Sequence, residues 1–200
     1  MKIVLGVPGA GKSTVLAAVA QERKDYRILN YGTMMSEIAM SEHLISNRDE
    51  LRKLPLETQK KIQAEVAEKR LPLNKQGKMH AAAAEKLSGM GEKIILDTHC
   101  SVKTPDGFLP GLPDRLLSQL SVSALIYITA PPEQIFERRM NDKTRIRTDD
   151  PTIESLMEHE RKNRELLEHY SKFTGAPIFI IENAKGGLAD AQKKLLALLG

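Results

Sequence analysis

The nine residues from Gly6 to Thr14 constrain this chain more than any other segment. They match the pattern GxxxxGK[ST], and they lie between an apolar run, Lys2 to Leu5, and an Ala- and Val-rich stretch with helical spacing, Lys12 to Arg23. Glycines let the backbone wrap a phosphate with its N–H groups inward, and the following helix adds its positive dipole end. The sequence therefore predicts a strand, a helix and, between them, a phosphate-binding loop of Gly6, Val7, Pro8, Gly9, Ala10, Gly11, Lys12, Ser13 and Thr14.

Two side chains of this loop carry specific chemistry. Lys12 would reach the β- and γ-phosphates of a nucleotide, and the Ser13 hydroxyl would bind magnesium. A chance match in a glycine-containing turn is the alternative. The pattern has every fixed position and the expected strand and helix on its two sides, so we interpret it as a nucleotide site.

Further strands and helices alternate along the rest of the chain. Four more strands are predicted at Tyr26 to Asn30, Lys93 to Asp97, Ala124 to Thr129 and Pro177 to Glu182. Helical patterns cover Gly32 to Met40, Asp49 to Leu54, Leu56 to Arg70, His80 to Leu87, Pro131 to Met140, Ile153 to Thr174 and Leu188 to Leu199. This alternation predicts an α/β fold with a doubly wound, five-stranded parallel sheet.

Two regions depart from the alternation. Residues 31–92 put about sixty mostly helical, charged residues between the second and third strands, which predicts a helical insertion above the sheet edge. Its residues 70–78 contain Pro, Asn and Gly and are predicted to form a loop. Residues 138–150 are predicted to form a short lid. Both would be mounted on a single domain spanning residues 1–200, a length typical of one domain.

Asp97 ends the third predicted strand. Phosphate-loop enzymes place a second magnesium-orienting carboxylate at this position, although an aspartate there could also cap a helix or form a turn. Because it would share a sheet edge with the phosphate loop, we expect Ser13 and Asp97 to form the magnesium site. Two interpretations of His99 stay open, a core residue or a residue beside the site. Cys100 is expected to be a small buried residue.

The formal net charge of +4 is concentrated in one segment. Residues 138–147 hold five cations and one acid. A charge run alone is typical of a solvated helix face, but this one follows the helix that leaves the fourth strand, near the edge where α/β sheets bind ligands. Phosphoryl transfer uses arginines to neutralise charge, so we expect an arginine-bearing lid. Arg138 and Arg139 point about 100° apart on a helix, and only one is expected to face the site.

Several classes of protein are excluded or disfavoured. The longest apolar stretches fall well short of the roughly 20 residues of a membrane helix, so no membrane partner is expected. The first residues lack the pattern of a signal peptide, which makes the cytoplasm the expected location. A single cysteine cannot form an internal disulfide or a cysteine zinc site.

Taken together, these residues resemble the adenylate kinases of the archaeal type. The resemblance covers most of the chain and is carried by GVPGAGKST at Gly6 to Thr14, NYGTMM at Asn30 to Met35, NRDELRKLPLETQKKIQ at Asn47 to Gln63, DTHCSVKTPDGFLPGLP at Asp97 to Pro113 and RRMNDKTRIR at Arg138 to Arg147. It implies a magnesium-dependent, reversible transfer between ATP and AMP that gives two ADP, an insertion that binds the nucleoside monophosphate, and a homotrimer.

The resemblance also implies roles for single residues. Gly6 to Thr14 would hold the ATP phosphates, and Arg138 would flank the ATP adenine or the end of the lid. Arg145 and Arg147 would close over the transferring phosphoryl group. Gly32 and Thr33 would contact the AMP adenine.

The cations that bind the AMP phosphate are less determined. Ser36 and the segment Asp97-Thr98-His99 stand where the bacterial pattern supplies arginines. The candidates to replace them are Arg48, Arg52, His99 and Lys103.

Two other functions stay open. One is a nucleoside monophosphate kinase with CMP or UMP as acceptor. The other is a nucleotide-switched ATPase that binds RNA or a protein partner, suggested by the basic charge. RNA-binding surfaces usually interleave aromatic and basic residues, and this chain has only four Tyr and four Phe, so no nucleic-acid partner is expected.

Overall fold

A computed structural model describes residues 1–69, 93–104, 107–142 and 152–200. Its strands are β1 (Lys2–Leu5), β2 (Tyr26–Asn30), β3 (Lys93–Asp97), β4 (Ser101–Thr104), β5 (Gly107–Pro110), β6 (Ala124–Thr129) and β7 (Ile178–Glu182). Its α-helices are α1 (Lys12–Glu22), α2 (Tyr31–Ser41), α3 (Leu56–Lys69), α4 (Asp114–Leu117), α5 (Pro132–Asn141), α6 (Ile153–Thr174) and α7 (Leu188–Leu199), and Arg48–Lys53 form a 3-10 helix.

The main sheet has five parallel strands in the order β2-β3-β1-β6-β7. Every residue of β6 is buried, as expected for a strand with both faces covered. On one face, Val15 of α1 and Leu195 of α7 share a core with Val4 and Ile126. On the other face, α2, α3 and α6 pack on β1 and β6. The predicted doubly wound α/β fold is confirmed.

The register of the sheet gathers polar residues at one edge. Asn30, the last residue of β2, is paired with Asp97, the last residue of β3, and Asp97 is also paired with Val4 of β1. Since β1 leads directly into Gly6, the phosphate-loop segment begins beside both polar side chains. This carboxyl edge is where open α/β sheets bind ligands.

Some local predictions differ from the structure. Strands β4 and β5 form an antiparallel hairpin that the sequence did not predict. The segment predicted as a helix at Asp49 to Leu54 is a 3-10 helix over Arg48–Lys53, which Asn47 caps through the Asp49 N–H and which ends before Pro55, since proline disfavours helical backbone at the residue before it. The last strand begins at Ile178.

Part of the predicted insertion is described. Between β2 and β3, the structure shows α2, the 3-10 helix and α3, all helical as expected. The predicted helix at His80 to Leu87, the loop at 70–78 and residues 143–150 of the predicted lid lie outside the described residues. Within the described part of the chain, none of the helices combines the length and apolar character that a membrane crossing requires.

Candidate active site

The phosphate-loop segment joins β1 to α1 through two glycines with left-handed backbone. Gly9 has φ +97° and Gly11 has φ +84°, and Gly11 is the N-cap residue of α1. A Cβ atom on Gly11 would lie 2.2 Å from Nδ2 of Asn183, and one on Gly6 would lie 2.3 Å from the Ile128 carbonyl oxygen. Backbone conformation and close packing therefore both require glycine in this loop.

Side chains from outside the loop hold its carbonyl groups. The buried Asn183, which follows β7, donates from Nδ2 to the Ala10 carbonyl at 2.9 Å. Arg139 Nε donates to the Pro8 carbonyl at 2.8 Å. Carbonyls fixed in this way leave the loop N–H groups on the opposite side of each peptide unit, the arrangement that suits an anion.

Arg138 and Arg139 both reach the loop, so the expectation that only one of them faces it was wrong. Arg138 donates to the Asn183 carbonyl at 2.8 Å and to the Ala10 carbonyl at 3.4 Å. The two directions differ on α5, but both side chains are long enough to reach loop carbonyls, Arg138 that of Ala10 and Arg139 that of Pro8. Sequence reasoning missed Arg139, whose only signal was its place in the charge run.

Lys12 and Asp97 form a buried ion pair in the middle of the site. The Lys12 ammonium contacts Asp97 Oδ1, and both side chains are about 7% and 6% exposed. The second carboxylate oxygen of Asp97 accepts a hydrogen bond from Nδ2 of Asn30. The two residues expected to act on a nucleotide phosphate and its metal are thus neighbours in the fold.

The metal expected from the sequence fits the oxygen donors present. Ser13 and Thr14 are exposed in the first turn of α1, directly after Lys12, whose ammonium contacts the Asp97 carboxylate. A hydroxyl and a carboxylate are ligands that Mg²⁺ accepts, and it usually completes its shell with waters and substrate phosphates. Ser13 and Asp97 are therefore the side chains that would hold it.

The residues expected at the acceptor side also meet. Thr33, in the first turn of α2, donates from N and Oγ1 to the Asn30 side-chain oxygen at 2.8 and 3.0 Å. Arg48, from the 3-10 helix, donates to the same oxygen at 3.2 Å and to Thr33 Oγ1 at 3.3 Å. Its guanidinium lies against Gly32, where a Cβ atom would stand 2.9 Å from Nη2. Gly32, Thr33 and Arg48 form one surface.

His99 links the phosphate loop to this surface. Its Nδ1 lies 3.0 Å from the Gly6 carbonyl oxygen, and since that oxygen only accepts, Nδ1 carries the hydrogen. Burial lowers the pKa of His99 well below its usual value, and the charges of Lys12, Arg52 and Arg48 lower it further. His99 is therefore a neutral hydrogen-bond donor to the loop, which makes it a weak candidate for holding a phosphate by charge.

The remaining predicted site residues are placed as follows. Lys103 is on β4, which packs against the 3-10 helix of Arg48 and Arg52, and its ammonium lies 5.8 Å from the centre of the Phe108 ring. Ser36 is buried and donates to the Gly32 carbonyl at 2.8 Å, so its hydroxyl is bonded within α2. Arg145 and Arg147 lie outside the described residues.

A cavity opens beside the phosphate loop on the side of α5. It has a volume of about 320 Å³ and is lined by Gln134, Glu137, Arg138, Asn141, Asp142 and Lys185. Gln134 accepts a hydrogen bond from the Lys185 N–H at 2.6 Å, which ties α5 to the loop after β7. The cavity adjoins Arg138, the residue that the resemblance puts at the ATP adenine.

The sequence was compared with protein families and with known proteins. Residues 5–157 match the family model of the AAA domain. The adenylate kinase of Thermoplasma acidophilum is 41% identical over 184 residues, which are 92% of this chain and 90% of that protein. The adenylate kinase of Methanopyrus kandleri is 39% identical over 194 residues, covering 97% and 94%.

Among solved structures, shikimate kinase from Acinetobacter baumannii in complex with shikimate superposes with a TM-score of 0.59 at 18% identity, covering 99% of this chain and 92% of that one. That likeness supports the fold. The near-complete coverage by the two archaeal relatives goes further, and with the AAA-domain match it shows that this chain belongs to the adenylate kinase family.

Proposed function

We propose that this protein catalyses the reversible, magnesium-dependent transfer of a phosphoryl group between ATP and AMP to give two ADP. The observation that carries the proposal is a chain of polar contacts at one sheet edge, which connects the phosphate loop to the acceptor surface of Gly32, Thr33 and Arg48. Lys12 of the phosphate loop and Arg48 of the helical insertion are connected through Asp97 and Asn30. A donor triphosphate on one surface would face an acceptor on the other.

The acceptor is proposed to be a phosphate rather than a hydroxyl. Arg48 and Arg52 both belong to the 3-10 helix, and their positive charges lower the pKa of His99, whose ring contacts the Gly6 carbonyl of the phosphate loop. A phosphate acceptor needs such cations and is already ionised, and it needs no strong general base. A neutral His99 agrees with this chemistry.

In the proposed mechanism, Lys12 leaves Asp97 and binds the β- and γ-phosphates of ATP, where its charge stabilises the transition state. Arg138, held on the loop carbonyls, lies at the donor nucleotide. Gly32 and Thr33 contact the AMP adenine, and Arg48, Arg52 and Lys103 supply charge for its phosphate. Ser13 and Asp97 would hold Mg²⁺, which would supply positive charge to neutralise the phosphates. Arg145 and Arg147 are proposed to close on the transferring group.

The proposal includes an organisation of the single domain, residues 1–200. Residues 31–92 serve as the monophosphate-binding insertion and residues 138–150 as the lid. A cytoplasmic location and a homotrimer remain predictions from the sequence and the resemblance. Size-exclusion chromatography with light scattering tests the trimer.

The deciding experiment is a coupled assay with ATP and each of AMP, CMP and UMP as acceptor. We expect turnover with AMP to exceed that with CMP and UMP in kcat/KM. A higher kcat/KM with CMP or UMP would contradict AMP as the preferred acceptor and would identify that nucleotide in its place. ATP hydrolysis that needs no monophosphate, together with RNA binding that weakens steeply with salt, would favour the nucleotide-switched ATPase instead.

A further inference from the structure

Asn30 occupies a position where three structural roles meet. It is the last residue of β2 and the N-cap residue of α2, with φ −95° and ψ +111°. The parallel register places it directly beside Asp97. Its side chain can form hydrogen bonds in both senses, because the amide nitrogen donates them and the amide oxygen accepts them.

The amide nitrogen fixes the carboxylate of the site. Asn30 Nδ2 donates to Asp97 Oδ2, while Lys12 occupies Oδ1. When Lys12 moves to a phosphate, the Asn30 bond is what keeps the buried Asp97 in its orientation. No other donor to Oδ2 is found among the described residues.

The amide oxygen fixes the acceptor surface. It accepts from Thr33 N at 2.8 Å, from Thr33 Oγ1 at 3.0 Å and from Arg48 Nη2 at 3.2 Å. An amide oxygen has two lone pairs, so three donors share it, and Arg48 has the longest of the three bonds. Arg48 can therefore turn to a substrate phosphate while the two Thr33 bonds keep Asn30 in place.

We propose that Asn30 is a positioning residue of the reaction, which orients Asp97 of the donor side and holds Arg48 of the acceptor side until a substrate phosphate takes its place. The proposal rests on the proposed function. A side chain that only caps α2 would need an acceptor oxygen and nothing more, whereas this role needs the amide nitrogen as well and needs an oxygen without negative charge. Those two requirements separate the roles experimentally.

The test compares Asn30→Ser and Asn30→Asp with the unchanged protein. Serine and aspartate both cap helices about as well as asparagine. Asn30→Ser should therefore keep a thermal midpoint close to the parent, whereas the new carboxylate of Asn30→Asp would face the buried Asp97 and should lower the thermal midpoint. Neither can donate to Asp97 as the amide does. We expect kcat to fall about 10- to 100-fold in both, the range for losing a hydrogen bond to a charged group.

Binding of AMP, measured by calorimetry without ATP or metal, separates the two variants. In Asn30→Asp the new carboxylate would pair with Arg48 and compete with the AMP phosphate, and we expect the Kd of AMP to rise at least about fivefold. In Asn30→Ser the hydroxyl is too short to hold Arg48, and the Kd of AMP should stay within about threefold of the parent.

The outcomes are distinct. A parent-like kcat in Asn30→Ser at a parent-like thermal midpoint would show that Asn30 is a helix cap only and would overturn the proposal. A parent-like Kd of AMP in Asn30→Asp would overturn the link to Arg48. If Asn30→Asp is too unstable to assay, the kcat of Asn30→Ser decides alone. Failure of the unchanged protein to turn over AMP would instead refute the proposed function.

Discussion

Replacing Lys12 with methionine tests both the stability and the chemistry of the site. Methionine keeps most of the volume of the lysine stem and removes only the ammonium group. The side chains of Lys12 and Asp97 are about 7% and 6% exposed, so the substitution leaves a buried carboxylate without its cation. Such a loss costs about 3–5 kcal/mol. Because Asn30 still donates to Asp97, we expect the lower end, about 3 kcal/mol.

The matched variant is the double substitution Lys12→Met with Asp97→Asn. It removes both charges, and a buried ion pair replaced by neutral groups is often isoenergetic with the original. We therefore expect urea unfolding to give a stability within about 1 kcal/mol of the parent for the double variant. Turnover should not return, because the phosphate-binding cation is still missing, and kcat should stay about 10²- to 10³-fold or more below the parent.

Two results would contradict this reasoning. A loss below about 1 kcal/mol in Lys12→Met would mean that the pair is solvated like a surface ion pair. Recovery of kcat in the double variant would mean that Lys12 acts only by pairing with Asp97 and has no role on the phosphates. Unfolding by urea and the coupled assay on the same preparations report the two quantities independently.

Three further predictions concern the loop, the far edge of the sheet and the thiol. Gly11→Ala should destabilise the fold by about 2 kcal/mol and raise the KM for ATP, because a Cβ atom would displace Asn183 from the Ala10 carbonyl; an unchanged KM would contradict this. The Arg23 guanidinium, with Lys93, holds the pKa of Asp25 well below its usual range, so its contribution is present above about pH 4 and is lost at lower pH. Asp25→Asn should therefore be less stable than the parent at pH 7, with the difference shrinking towards pH 2, and should leave turnover unchanged. Burial raises the pKa of the Cys100 thiol, and Ellman's reagent should label it only after unfolding.

The strands of the main sheet could be predicted because the signal for each strand lies in its own few residues. A strand buried on both faces shows as a continuous apolar run, as in β1, β3 and β6, which have the predicted bounds. The edge strand β2 has no buried residue, and its predicted bounds are also confirmed. Asp97 could be placed at the site for the same reason, since its position at the end of a buried strand fixes the sheet edge on which it lies. Gly11 is a fixed position of the phosphate-loop motif, whereas the left-handed backbone of Gly9 lies at a position that the motif leaves variable.

The parts that were missed depend on contacts between distant segments. Strands β4 and β5 are only four residues each and partly exposed, too short for a clear alternation of side chains. Asn183 reaches the Ala10 carbonyl across 173 residues of sequence, and no local pattern marks it. Asn30 appeared only as the end of a predicted strand and as part of a family motif, because its role depends on the register between β2 and β3.

Ligand binding at this site exchanges partners instead of creating new charges. Lys12 is already paired with Asp97, and Arg48 is already bonded to Asn30 and Thr33. A phosphate that draws Lys12 away leaves Asp97, about 4% exposed, as a buried carboxylate, and an unpaired buried charge is strongly unfavourable.

ATP should therefore bind much more weakly in EDTA than with Mg²⁺, because only a second cation can replace Lys12 at Asp97. In Asp97→Asn the residue is neutral and needs no replacement, so calorimetry should show a smaller ratio between the two affinities than in the parent, and an equal ratio would contradict the exchange.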